Sequence, residues 1–187
     1  MREYAIKCPL GMMNLIFFLN VDIFFYLIGI FQKSFWLIDP YWSIIPPVFA
    51  VMWKAHPLAV QSTRGDVAMV LTFIWGIRLT YSYFRREEWK FGTREDWRYT
   101  KMAIDFGRPL WYFMSFLAVG LAQHPMIVGI SLPLYSVRFG PEADKPWNTL
   151  DWVATIFCLL GIYIANISDN QLREFMMENE RRKLQGQ

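Results

Sequence analysis

The chain has 187 residues, 55% of them hydrophobic and 19% charged, and a formal net charge of +3. Mean hydropathy is +0.20, and the apolar residues gather into blocks with the charges between them. That pattern excludes a disordered chain and argues against a small soluble enzyme. Cys8, Cys158, His56 and His124 make no disulfide framework and no metal-binding pattern.

A bilayer core about 30 Å thick takes about 20 helical residues. Five blocks meet that need in chain order: Leu10–Phe31, Trp42–Val60, Asp66–Phe84, Pro109–Leu132 and Asn148–Ile167. They are continuous apolar runs without alternation, which selects helices over barrel strands. The predicted fold is therefore all-α, a polytopic transmembrane helix bundle of about five spans. Residues 1–187 are read as one membrane domain with a charged tail at 168–187. The first block carries Asn20 and Asp22, is long for a signal peptide, and lacks a small-residue cleavage site, so it reads as a span. The second holds Pro46, Pro47, Lys54 and His56, and reads either as a crossing or as a re-entrant or tilted element. The fourth breaks near Gln123-His124-Pro125.

Orientation follows from the lysines and arginines. Twelve lie in the loops after the first and third spans and in the C-terminal tail, and five lie on the opposite side. This predicts a cytosolic C-terminus and 85–108 loop, with the N-terminus lumenal or outside, provided the second block crosses.

Several polar groups stand out. Asp22 lies mid-span, where a lone carboxylate is costly, so it faces the bundle interior. It either lines a substrate cavity or makes an interhelical hydrogen bond. In Asp39-Pro-Tyr-Trp-Ser-Ile-Ile-Pro46, Asp39 and Ser43 suit a helix start, while Tyr41 and Trp42 suit the interface. In Trp75-Gly-Ile-Arg78-Leu79, Arg78 sits about 9 Å inside the third span at helical rise. Its side chain either snorkels or binds a phosphate or carboxylate.

The 85–108 loop interleaves basic residues with Trp89, Phe91, Trp97, Tyr99 and Phe106. It reads either as an interfacial amphipathic helix on anionic membrane lipid or, through the alternating charges and rings of Glu95-Asp-Trp-Arg-Tyr99, as a surround for a nucleotide. Pinned between two spans, it is poorly suited to nucleic acid, and none is expected as a partner. After the fifth span, Asn166, Asp169 and Arg173 share one helical face, on the same side as Arg78. Arginine from one element and polar groups from another can hold a dinucleotide there. No G-x-S-x-G, H-E-x-x-H, P-loop or Rossmann glycine pattern occurs, so a cofactor would need a transmembrane site.

The ordered series Asp39-Pro-Tyr-Trp-Ser-x-x-Pro46, Trp75-Gly-x-Arg-Leu79, Glu95-Asp-Trp-Arg-Tyr99 and Asp169-x-Gln171-x-x-x-Phe175 resembles the DUF1295 group of steroid 5-alpha-reductase-like membrane proteins. The resemblance runs from Asp39 to Phe175. It implies an NADPH site open to the cytosol, in the endoplasmic reticulum, and reduction of carbon–carbon double bonds in steroid or other lipid enones. By resemblance Arg78 lies near the cofactor phosphates, and Asn166 and Asp169 belong to the cofactor site. Arg98 and Tyr99 belong to its rim. The family's acid pair is not recognisable, and Tyr41 and Trp75 are the catalytic candidates that remain.

Relatives continue into an Arg-His-Pro-Asn-Tyr segment that completes the nucleotide site. His56-Pro57 and His124-Pro125 lack its flanking residues. The expectation is therefore an incomplete reductase, with the missing helices supplied by a partner chain or by another region of the gene. The other reading is a catalytically inactive membrane protein that binds a sterol-like or acyl lipid or scaffolds partners. A membrane methyltransferase ranks behind both.

Overall fold

The computed structural model describes residues 2–90, 92 and 95–186. Phe91 and Arg94, counted above in the basic loop, lie outside the described residues. The chain forms a short α1 (Arg2–Lys7), then α2 (Pro9–Gln32), α3 (Ile38–Lys54) and α4 (Thr63–Arg86). A surface helix α5 (Trp97–Phe106) leads to α6 (Arg108–Phe139) and α7 (Thr149–Leu184). No strand occurs among the described residues. Helices α2, α4, α6 and α7 are long and apolar enough to cross a membrane.

Local chemistry sets the helix ends. Pro9 opens α2 in its first turn, where its missing N–H costs nothing. Lys33 closes α2 in the left-handed conformation, φ 57°, and Ser34 N donates back to Gly29 O. Ser62 caps α4 by accepting from Gly65 N, and Asn148 with Asp151 forms a capping box on α7.

Helix α3 lies at the centre. Nine of its 17 residues are buried, among them Phe49 and Trp53. At about 25 Å it is shorter than a bilayer core. It ends at Lys54, not at Val60 as the hydropathy block suggested, because the chain turns there and Val60 N donates to Arg138 O. Lys54 is thus a terminal residue paired with Asp66 at 2.7 Å, not a charge stranded in a span. Pro46 and Pro47 sit inside α3 and remove two amide donors. The Ser43 carbonyl loses its partner at Pro47 and instead faces Gly76 of α4. A Cβ at Gly76 would come within 2.6 Å of that oxygen, so glycine permits the close approach of α3 and α4.

The fourth span is irregular next to Gln123-His124-Pro125, as the sequence suggested. Pro125 falls in the first turn of a helical segment, where proline is tolerated, and the irregularity lies just before it. There α6 widens into a π-helical stretch, Phe116–Leu121, and α2 carries another at Phe18–Phe25. These stretches face each other, and Asp22 lies in one of them, fully buried. Its Oδ2 is 2.6 Å from His124 Nδ1 on α6, so Asp22 makes an interhelical hydrogen bond. The charged tail continues the last span, since α7 runs to Leu184 as one 36-residue helix.

Charged collars tie the bundle. At one end Arg138, 2% exposed, bonds Asp66 Oδ1 at 2.5 Å and Val60 O at 3.1 Å. Arg64 grips Asp151 through two bonds of 2.6 and 2.8 Å and also reaches Glu142 O. At the opposite end Glu95 Oε1 accepts from Phe35 N at 2.7 Å, fastening α5 to the turn after α2.

Candidate functional site

The site lies near the α5 end of the bundle, where α4 and α7 meet. Arg78, Ser82 and Arg85 recur at helical spacing on one face of α4. Arg78 Nη1 lies 2.6 Å from Asp169 Oδ2 on α7, and Ser82 Oγ donates to the same oxygen at 3.2 Å. Arg85 Nη2 donates to Asn170 Oδ1 at 2.5 Å and its guanidinium rests over the Tyr81 ring. The Arg78 side chain is 14% exposed, so it pairs across the interface and does not snorkel to water. Both Arg78 Nε and Arg85 Nε are buried without a protein partner. Two guanidinium donors are therefore left over, a donor set suited to phosphate or carboxylate oxygens.

The other expected residues do not join them. Asn166 is exposed, and so is Arg173, whereas Asp169 and Asn170 turn toward Arg78 and Arg85 of α4. Arg98 is held by Asp96, which also caps α5 through Arg98 N. Those bonds keep the Asp96 carboxyl below its usual range. Tyr99 is 5% exposed and packs into the core, and its burial, with Asp39 near, raises its phenol above the usual range. Tyr41 packs edge-on against Phe25 at 4.3 Å. Trp75 is half-buried beside Gly76. The five proposed cofactor residues thus do not converge on one cleft. Arg78 and Asp169 pair across α4 and α7, and Arg98 and Tyr99 have local partners instead.

Beside this cluster, on another face of α4, a groove of about 560 Å³ runs between α3 and α4. Its walls are apolar, including Pro47, Met52, Phe73 and Ile77, with a hydroxyl pair, Ser43 and Thr80, at 2.8 Å. Trp89 lies at its mouth, stacked on Phe84 and edge-on to Tyr81. Glu88 and Trp89 both take positive φ, 52° and 59°, a strained pair for residues with side chains. The sequence singled out neither the groove nor Ser82, Arg85 and Asn170 as a unit. The i, i+4, i+7 spacing of Arg78, Ser82 and Arg85 was the available signal.

Hydrophobic helices joined by charged collars, with a paired arginine and an apolar groove at one end, define a multi-pass helical membrane protein. The chain belongs to the DUF1295 family, described as a protein family of unknown function, which matches residues 25–186. It is similar to the uncharacterized protein C594.04c of Schizosaccharomyces pombe, 20% identical over 146 residues that make up 77% of this chain. The chain spans 42% of that relative's length. No solved structure matches.

Proposed function

We propose that this chain forms the lipid-binding and phosphate-binding part of an NADPH-dependent reductase of carbon–carbon double bonds in steroid or other lipid enones. The observation that carries the reading is the meeting of Arg78 and Asp169. They are 91 residues apart in sequence, both belong to the family-like motifs, and they lie 2.6 Å apart. In this reading NADPH, when bound, would supply hydride to the β-carbon of the enone, and an acid or water would supply the proton to the α-carbon. Arg78 and Arg85 hold cofactor phosphate through their buried, unpartnered Nε donors. Asp169 and Ser82 orient Arg78. The α3–α4 groove takes the apolar body of the lipid and excludes water from it. A further helical segment, from the same protein or a partner chain, supplies the opposite wall of the nucleotide site. The reading includes residence in the endoplasmic reticulum, with the Arg78 end cytosolic.

NADPH titration of detergent-purified protein tests it. Wild type is expected to bind in the micromolar range, as unassisted phosphate-end contacts would give. Arg78→Ala should weaken binding at least about tenfold, the value of one charge-assisted hydrogen bond. Asp169→Asn should weaken it less. No binding by folded wild type, or equal binding by Arg78→Ala, overturns the cofactor assignment. Saturable lipid binding that NADPH does not alter would instead favour the lipid-binding, non-catalytic reading, which the groove supports.

A further inference from the structure

The geometry points to a proton-binding site buried between α2 and α6, formed by Asp22 and His124. It follows from hydrogen-bond accounting and does not rest on the reductase reading. Asn14 Nδ2 donates to Leu10 O at 2.8 Å. That carbonyl can only accept, so the orientation of the Asn14 amide is fixed and its Oδ1 is the atom 2.9 Å from His124 Nε2. An amide oxygen has no proton to give, so Nε2 carries one. On the other side of the ring, His124 Nδ1 is 2.6 Å from Asp22 Oδ2. Neither a bare imidazole nitrogen nor an ionised carboxylate donates, so a second proton lies within that contact. The pair therefore holds one proton more than a neutral histidine beside an ionised aspartate. It is either imidazolium with carboxylate or imidazole with carboxylic acid, and its net charge is zero in both.

The surroundings favour that neutral state. Asp22 is 0% exposed, and its second oxygen, Oδ1, is buried without a partner. Phe17 of α2 packs edge-on against the imidazole, with ring centroids 4.7 Å apart. From α3, Phe49 packs on Phe17 and Trp42 Nε1 donates to Gln123, and neither residue is titratable. Asp22 is the charged group facing His124 in these contacts. Losing the proton would leave a net negative charge in an apolar interior and set lone pair against lone pair across one of the two contacts. Those contacts join α2 to α6, so the shared proton sits where the two helices dock. Both helices widen into π-helical stretches beside the pair, a distortion frequent at functional sites. The open Asp22 Oδ1 is where an incoming donor would bond.

The chain contains its own control. His56 Nδ1 accepts from Leu58 N at 3.1 Å and its Nε2 faces Ala5 O at 3.0 Å. That describes an ordinary neutral ring with a single proton on Nε2.

Nitrogen-15 NMR of histidine-labelled protein in lipid nanodiscs, with carbon-13 labelling of the aspartate carboxyls, reads both groups at neutral pH. The expected result for His124 is a protonated Nε2 together with either a protonated Nδ1 and ionised Asp22, or a bare Nδ1 and protonated Asp22. His56 should show one bare nitrogen. In Asp22→Asn the new amide can donate to Nδ1, and His124 should then resemble His56, with the extra proton gone. A neutral His124 ring beside an ionised Asp22 in folded wild type overturns the proposal. The wild-type spectrum decides the matter even where the variant does not fold.

Discussion

Asp96 and Glu95 are neighbours with opposite electrostatics. Arg98 holds the Asp96 carboxyl below its usual range, whereas burial holds Glu95 above its own. The stabilisation from Asp96 is therefore present above the ordinary aspartate value of about 3.9 and is lost as pH falls through its lowered folded value. Glu95 runs the other way. Its contribution is full below the ordinary glutamate value of about 4.3 and declines as pH rises through its raised folded value. Thermal unfolding in detergent between about pH 3 and 7 should show Asp96→Asn blunting the acid loss and Glu95→Gln removing the decline at higher pH. Asp96→Ala also removes the α5 cap, at a cost of about 1 kcal/mol, and hydrogen exchange at Arg98 N should rise accordingly. At this scale the sequence exposed Arg78 and Asp169 through their motifs. It did not expose the partner of Asp22, because His124 stands 102 residues away and its pairing depends on two helices docking.

At the scale of elements, the contact between α3 and α4 rests on Gly76 against the Ser43 carbonyl that Pro47 leaves without a donor. Gly76→Ala puts a methyl into backbone that cannot yield, and should cost about 1–3 kcal/mol as a lowered unfolding midpoint. Gly161 on α7 provides the contrast. Nothing lies within 4 Å of a Cβ there, so Gly161→Ala should be neutral or stabilise by up to about 1 kcal/mol through helix propensity. Equal effects at the two positions would refute the close-contact account. The prolines in α3 were legible in the sequence, but their consequence was not. Composition shows that two donors are missing; only packing shows which neighbour accommodates the freed carbonyl.

For the whole molecule, the instructive helix is α7. None of its residues is buried, and Leu150, Phe157, Leu160 and Ile164 are among the exposed ones. In water that surface would be a liability, whereas in lipid it is the expected face of a span. Cys158 lies on it, exposed. A nitroxide attached there, with Cys8→Ser, should be relaxed by oxygen and shielded from a water-soluble relaxer after reconstitution into bilayers. A label at Glu180→Cys, near the end of the same helix, should show the reverse. Collisions of the water-soluble agent at position 158 would rule out the membrane placement of α7. Charged residues sit at both collars, and Arg64–Asp151 and Arg78–Asp169 fasten α7 to α4 at two heights.

The sequence by itself determined the class of fold. Apolar blocks of bilayer length can satisfy their backbone only as helices, and the charges between the blocks mark their ends. It also marked Arg78 and Asp169, through the depth of Arg78 in its span, the helical face of Asp169 and the motifs that hold both. Tertiary structure decided the rest. It turned the chain after Lys54, separated Asn166, Arg98 and Tyr99 from the Arg78 pair, opened the α3–α4 groove and joined Asp22 to His124. Each of these depends on which faces of distant helices meet. Helical periodicity lists the residues on a face, but the docking of one helix on another selects which of those residues find partners.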